Sequence, residues 1–567
     1  MLPIISFENF NFTYRNLSEP TLKNINLNIF LGEKILIAGR SGSGKSTLAH
    51  CMNGLIPFSY EGEIEGNLWI NGVKPYKTSI FEISKTVGTI LQDQDAQFIG
   101  LSVGEDVAFA FENDMVPQEK MRREVRRAAE MVDMVDMLDQ SPYELSGGQK
   151  QRASLAGILT TNTPILLFDE PLANLDPASG RKVMELIHDI HRQTNKTIII
   201  IEHRIEDVLQ ESVDKVVVMD QGEIKKIGTP DEILSTGILR RTGLREPLYI
   251  EALNYAKCEW DASDKVSSIQ NINKAKFKEA LKTWYEKTEQ KEKDANAANI
   301  LSLKHVHFSY DGVHEILKGI SFDIYKGEIV SLLGNNGAGK STISNLITGM
   351  SVPAKGDIYL GNQRINDWSV RKRGQQIGYV MQNPNQMITQ QMVKDEVSLG
   401  LVAQGLQPEM INQKVEKVLK MCGLYSYRNW PISALSYGQK KRVTIASILV
   451  MEPQIMILDE PTAGQDWKHY TEFMRFIKTL SEQGITFLLI THDMHLALEY
   501  TNRAVVLSAG RVIADDDVAD VLTNKEVIQQ ANLKETSLSA LAGVLGVEHP
   551  KHFVQHFINY ENTVKRI

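Results

Sequence analysis

The sequence predicts an α/β protein made of two similar domains in tandem, each a mainly parallel sheet core with a helical insert. Three observations carry this. The glycine-rich stretch GRSGSGKST at 39–47 follows the apolar run 34–38, and GNNGAGKST at 334–342 follows the apolar run 329–333. Apolar runs of strand length, such as 197–201 and 486–490, alternate with amphipathic helical stretches, as expected of strands covered on both faces. Five motifs recur in one order at nearly constant spacing. The glycine loops lie 295 residues apart and LSGGQKQR (145–152) returns as LSYGQKKR (435–442). ILLFDEP (165–171) returns as IMILDEP (455–461), IIEH as LITH, and FTY as FSY. Order and spacing together mean a tandem duplication.

Composition bounds the rest. A chain of 567 residues exceeds one core. Its 42% hydrophobic and 23% charged content is that of ordinary globular domains, and a net charge of −8 argues against a nucleic-acid surface. Three scattered cysteines exclude a zinc or iron–sulfur framework and suit a reducing compartment. No signal peptide is expected, and the apolar runs fall far short of a membrane span. The expected domains are 1–240 and 299–545, with a linker at 241–298 and a tail at 546–567 without a readable motif. In the linker Phe277, Ala280, Leu281 and Trp284 fall at helical spacing, so one helix is expected there. The insert of the first domain is expected to contain a helix over 118–138.

The chemistry starts at the two loops. A glycine-rich turn between strand and helix aims backbone N–H groups and the positive end of the helix dipole at one point, which suits a phosphate chain. The expected binding residues are Gly39, Arg40, Ser41, Gly42, Ser43, Gly44, Lys45, Ser46 and Thr47. Their counterparts are Gly334, Asn335, Asn336, Gly337, Ala338, Gly339, Lys340, Ser341 and Thr342. Lys45 and Lys340 would reach the β- and γ-phosphates, and the hydroxyls of Ser46 and Ser341 would ligate Mg²⁺.

Asp169–Glu170 and Asp459–Glu460 close apolar strands at the end where open α/β sheets bind ligands. Asp169 and Asp459 would hold the Mg²⁺ shell, while Glu170 and Glu460 would orient or deprotonate a water. His203 and His492 recur after apolar strands, placed to bond a γ-phosphate or the attacking water. Gln92 and Gln382 follow strands and could approach the ion. Tyr14 and Tyr310 suit either a purine face or an aromatic core position. Ser146 and Gly148, with Ser436 and Gly438, open helices that would form a second phosphate-grade N-terminus in each copy. One copy needs only one such site per nucleotide, so each signature is expected to serve the nucleotide of the other copy.

Glycine loop, glutamine, LSGGQ, DEP and histidine in this order resemble the nucleotide-binding domains of ATP-binding-cassette (ABC) transporters, a P-loop NTPase fold. The resemblance implies head-to-tail closure on two ATPs. One site would join the Lys45 loop, Gln92, Glu170 and His203 to Ser436 and Gly438. The other would join the Lys340 loop, Gln382, Glu460 and His492 to Ser146 and Gly148. ANLD (Asp176) and AGQD (Asp466) resemble the loop that couples the sites.

The stretch 93–109, DQDAQFIGLSVGEDVAF, resembles the segment after that glutamine in energy-coupling-factor (ECF) ATPases, which drive uptake of vitamins, cobalt or nickel. Ser102 and Glu105 make a capping box, whereas Met392 replaces the cap in the second copy. The resemblance implies an ATP- and Mg²⁺-dependent ATPase at the cytoplasmic face of the membrane. Its partners would be a transmembrane coupling protein and a substrate-binding membrane protein. Their helix would meet a groove near Phe98, Ile99 and Leu101, and near Met387 and Ile388. An exporter, a sugar importer and a ribosome-associated tandem factor are the competing readings. Both copies keep Lys, Glu and His, unlike typical sugar importers. The intact signatures and mixed-charge linker argue against the ribosomal class.

Overall fold

The computed structural model describes residues 2–92, 97–161, 163–173, 175–286, 298–462 and 465–564. It divides into two compact units, Met1–Leu281 and Lys282–Ile567. Each unit has the expected parallel core and helical insert, together with an antiparallel sheet that the motifs did not announce.

In the first unit the core sheet runs in the order Val87–Ile90, Ile165–Asp169, Thr197–Glu202, Lys34–Gly39, Lys215–Asp220, Glu223–Gly228. Neighbouring strands are parallel until the last, which pairs antiparallel. Its central strands Lys34–Gly39 and Thr197–Glu202 are buried from end to end, which is why they read as isoleucine-rich apolar runs. The glycine loop, Asp169 and Glu202 all leave the carboxyl ends of these strands, so the topology gathers them at one edge. The second unit repeats the order with Ile377–Val380, Ile455–Asp459, Thr486–Ile490, Ile329–Leu333, Arg503–Ser508 and Arg511–Asp517.

The antiparallel sheet of the first unit places Ile5–Tyr14 between Leu22–Ile29 and Gly62–Ile70. Ile5, Phe7, Phe10 and Phe12 all face its core, although Phe7 and Phe10 are three residues apart. A break in register between them resets the alternation. Asn9 turns to φ +46° there, and an ideal Cβ on the facing Gly66 would stand 2.2 Å from its carbonyl oxygen. His305 and Gly356 reproduce this in the second unit, with the same 2.2 Å approach.

The insert of the first unit contains Val103–Asn113 and Gln118–Met131 before Gly147–Leu159. The helix expected over 118–138 stops at Met131 because Asp133 takes φ +56°, and a short 3₁₀ turn, Val135–Met137, follows. Beyond the first core, Leu248–Tyr255 and Lys274–Tyr285 are helical. Phe277 and Leu281 are buried on the second of these. The C-terminal stretch forms Ser537–Leu545 and Pro550–Val564, and the latter buries Phe553 and Phe557 fully. Within the second unit Trp284 packs edge-on to Phe553 and His556, with ring centroids 6.0 and 4.3 Å apart. GLRE (243–246) and NLKE (532–535) precede Leu248–Tyr255 and Ser537–Leu545, and both begin with a residue at positive φ. The repeat therefore runs past the sheet cores into the appended helices. Among the described residues, no helix is long and apolar enough to cross a membrane.

Candidate functional site

The glycine loop of each unit leads into a helix, Lys45–Met52 or Lys340–Thr348, capped by a glycine in the left-handed region. Lys45 Nζ donates to the carbonyls of Gly39 and Arg40 at 2.6 and 2.9 Å. Lys340 Nζ does the same to Gly334 and Asn335 at 2.7 and 3.0 Å. Both ammonium groups are buried over their loops, while Ser46 and Ser341 are exposed beside them. Thr47 and Thr342 turn inward, and their hydroxyls bond those of Tyr14 (3.1 Å) and Tyr310 (3.3 Å). Tyr310 is 64% exposed, which removes it from any core. Tyr14 is half-buried and edge-on to Phe12. The Arg40 side chain is bound to Asp220 at 2.9 Å, so this residue enters the loop through its backbone.

Glu170 and Glu460 adopt φ +49° and +43°, each donating its N–H to the neighbouring strand at 2.9 Å. Two glutamates held alike in a conformation rarely populated by a residue with a Cβ point to a functional constraint. Around them the units differ. In the first, Gln92 Nε2 donates to Glu170 Oε2 at 2.8 Å, and His203 Nδ1 stands 3.7 Å from Glu170 Oε1. In the second, His492 Nδ1 is 2.6 Å from Glu460 Oε1, and the Thr491 hydroxyl donates to Glu460 Oε2 at 3.2 Å. Burial alone would depress His203, but its interactions with Glu170 and Glu202 overcome this and leave its pKa raised. Burial likewise works to raise Glu170, yet His203, Lys45 and Arg204 hold it below the usual carboxylate range.

Asp169 is pushed up to about 6, first by burial, then by the charge of Glu170, against the pull of Lys45. Its Oδ1 is buried and finds no hydrogen-bond partner among the described residues. An orphaned carboxylate oxygen at the end of the phosphate-loop sheet, with an exposed serine hydroxyl on the loop itself, is a donor set that fits a hard divalent cation. In the second unit the Tyr379 hydroxyl donates to Asp459 Oδ2 at 3.0 Å, and burial again raises this carboxyl.

The signature helices are Gly147–Leu159 and Tyr437–Leu449. Ser146 and Ser436 cap them in complete capping boxes with Gln149 and Gln439. These serines are exposed, so each N-terminus is open. Tyr437 lies where the first copy has Gly147. Its hydroxyl reaches the Gln382 carbonyl at 3.4 Å, away from the helix N-terminus. Asp176 and Asp466 cap the helices Pro177–Thr194 and Trp467–Glu482. The neighbouring residues 174, 463 and 464 of that loop lie outside the described residues, as do 93–96 after Gln92.

The segments beyond Gln92 and Gln382 are tied to the insert helices by carboxylates that the motifs did not single out. Asp106 Oδ1 accepts from the N–H groups of Ile99 and Gly100 at 2.8 and 3.1 Å. Glu396 Oε2 accepts from Thr389 and Gln390 at 2.8 and 2.7 Å. Ser102 and Glu105 form their capping box, while Met392 offers no side-chain cap. Phe98 is buried, whereas Ile99 is 67% and Leu101 85% exposed. Met387 and Ile388 pack instead against the insert core of the second unit.

This geometry repeats in two sequence blocks. Residues 22–173 and 317–463 match the family model described as ABC transporter. A Bacillus cereus protein named as an ABC transporter ATP-binding protein is 55% identical over 560 residues, covering 99% of each chain.

The chain belongs to the ABC transporter ATP-binding family.

Relatives of the same name in Clostridium perfringens and Vibrio vulnificus are 53% and 50% identical, over 99% of this chain and 99% and 98% of theirs. Residues 236–308 match a second model, described as an ATP-binding cassette cobalt transporter. Among solved structures, cbiO1 from Clostridium perfringens, part of the ABC transporter complex cbiONQ, is 36% identical. It covers 43% of this chain and 99% of its own, with a TM-score of 0.39. Two ABC cassettes thus stand in tandem in this ATP-binding chain, and ABC cassettes are ATPases.

Sequence reasoning passed over Glu202, Arg204 and Tyr379. Glu202 and Tyr379 correspond in the repeat to Thr491 and Thr89, so a search for recurring residues discards them. An acidic residue inside the apolar run 197–202 was the available signal for Glu202.

Proposed function

We propose that this ATPase is the energy-coupling subunit of an ECF-type importer for a vitamin or a metal ion. The observation that carries this reading is the match of residues 236–308 to a cobalt-transporter cassette model. The ECF-like segment after Gln92 supports it from a separate part of the chain. In this reading two composite ATP sites form between the cassettes. Ser436 and Gly438 complete the site of Lys45, and Ser146 and Gly148 that of Lys340. Glu170 and Glu460 act on the attacking water, with His203 and His492 on the γ-phosphate. Ser46, Gln92 and Asp169 hold one Mg²⁺, and Ser341, Gln382 and Asp459 the other. The ion supplies positive charge to the β- and γ-phosphates. The tyrosines 14 and 310 lie against the purine.

The chain then works at the cytoplasmic face of the membrane, bound to a transmembrane coupling protein and a substrate-binding membrane protein. Ile99 and Leu101, apolar yet solvent-facing, support a contact with a membrane-subunit helix there. The test is co-purification of the tagged chain with its membrane subunits, followed by reconstitution in vesicles with ATP on the cassette side. Uptake of a vitamin or of Co²⁺ or Ni²⁺ toward the ATP side supports the reading, and ATP-driven movement away from that side overturns import. Leu101→Asp should release the membrane subunits without lowering Tm, because its side chain is exposed. Unchanged partner binding removes this contact from the reading.

A further inference from the structure

At the end of the strand Thr197–Glu202 the first cassette carries a fully buried carboxylate, Glu202. Buried carboxylates persist only where the fold supplies donors. Oε1 accepts from the Leu172 N–H at 3.1 Å, and Oε2 from the N–H groups of His203 (3.0 Å) and Arg204 (3.2 Å). The Arg204 guanidinium returns to the Leu172 carbonyl. Leu172 sits two residues after Glu170, so one side chain fastens the loop leaving Glu170 to the loop that carries His203. Oε2 also stands 3.7 Å from His203 Nδ1, the same distance as Glu170 Oε1. The histidine is shared between two carboxylates, and Glu170 keeps its other oxygen for Gln92.

The second cassette has Thr491 in this place. Its hydroxyl accepts from the Asp493 N–H at 3.0 Å and turns its own proton to Glu460. Thr491 offers no carboxylate there, and His492 closes on Glu460 to 2.6 Å. Both oxygens of Glu460 are therefore held by residues of the histidine loop.

We infer that Glu202 is a positioning residue for hydrolysis in the first cassette: by holding His203 off Glu170, it leaves that carboxylate under the control of Gln92. Exchange of Glu202 for Thr491 is what frees Glu460 from Gln382 and binds it to His492. The inference rests on the roles proposed above for Glu170 and His203.

The test uses ATP hydrolysis by the full chain. The share lost in Glu170→Gln defines the first cassette; if nothing is lost, the site assignment fails rather than this inference. Glu202→Gln keeps shape and one acceptor but removes the charge. It should lower that share about tenfold, the scale of a small misplacement at a reacting centre, with KM for ATP within about twofold. Adding Gln92→Ala should then cost clearly less than Gln92→Ala costs alone, because only its contact with the ion is left to lose. A merely structural role predicts additive losses, and additivity overturns the inference. Should Glu202→Gln fail to fold, Thr491→Glu reads the same question in the second cassette. It should raise the cost of Gln382→Ala above its cost in the unaltered second cassette, and an unchanged cost also overturns the inference.

Discussion

The two cassettes hold the same backbone and spend it differently. Left-handed glutamates at 170 and 460, capping boxes at Ser146 and Ser436, and folded-over lysines at 45 and 340 coincide almost bond for bond. The side chains touching the acidic pairs do not coincide. Among the described residues Asp169 has an oxygen without a partner, where Asp459 is held by Tyr379. Glu170 bonds Gln92, where Glu460 bonds His492 and Thr491. The Gln151 amide is buried without a hydrogen-bond partner among the described residues, where Lys441 donates to the Pro461 carbonyl and is pushed down to about 8 by burial. Duplication thus preserved the backbone of the loops and acidic pairs and changed the side chains that touch the acidic pairs. Equal competence with unequal speed is the expected result.

The largest effect should come from removing both candidate bases. Glu170→Gln with Glu460→Gln should leave ATP binding intact and cut turnover about 10²–10⁴-fold, the usual cost of losing a positioned base. Near-normal turnover would strike both carboxylates from the mechanism, while the two single variants, assayed alone, should differ.

A stability effect should follow at Lys34, which the second cassette replaces by Ile329. Lys34 is 1% exposed, its Nζ has no hydrogen-bond partner among the described residues, and burial pushes it down to about 8. Between pH 8 and the unfolded value of 10.5 the unfolded chain holds more protons, so this lysine lets stability rise with pH across that window. Lys34→Ile should therefore stabilise the first cassette by up to about 3 kcal/mol below pH 8 and lose this electrostatic gain above 10.5. Denaturant unfolding at pH 7 and at pH 10.5 measures it, and an equal gain at both would place the effect in packing alone.

The smallest effect is expected at Tyr437. Its ring leans on Gln382 rather than over the helix N-terminus, so Tyr437→Gly should change turnover by less than about threefold, a single weak hydrogen bond's worth. A large gain would show that the side chain obstructs the signature after all.

The parts legible in the sequence are those whose chemistry is written in consecutive residues. A glycine loop, an acidic pair and a signature each act through neighbours in the chain, so they survive reading without coordinates. The antiparallel sheet escaped because the bulge at Asn9 breaks the period-two pattern of FENFNF. The extended repeat escaped because GLRE and NLKE share only two identities. The helix over 118–138 ran too long on paper because periodicity is blind to the single left-handed residue, Asp133, that stops it. Asp106 and Glu396 lie in the first turns of their helices. Their work is to hold the preceding loop, a contact that only folding reveals.

The backbone of Glu170 and Glu460 also marks how such a cassette would decay. At φ +49° and +43° each pays about 1 kcal/mol or more for a conformation that glycine enters freely. A glycine mutation at either position would discard the carboxylate and relax the chain in one step. Selection for folding alone therefore pushes toward the inactive cassette, and a population that no longer needed the pump would slide there downhill. Under the roles proposed for them, use keeps the carboxylates against that slope in both halves.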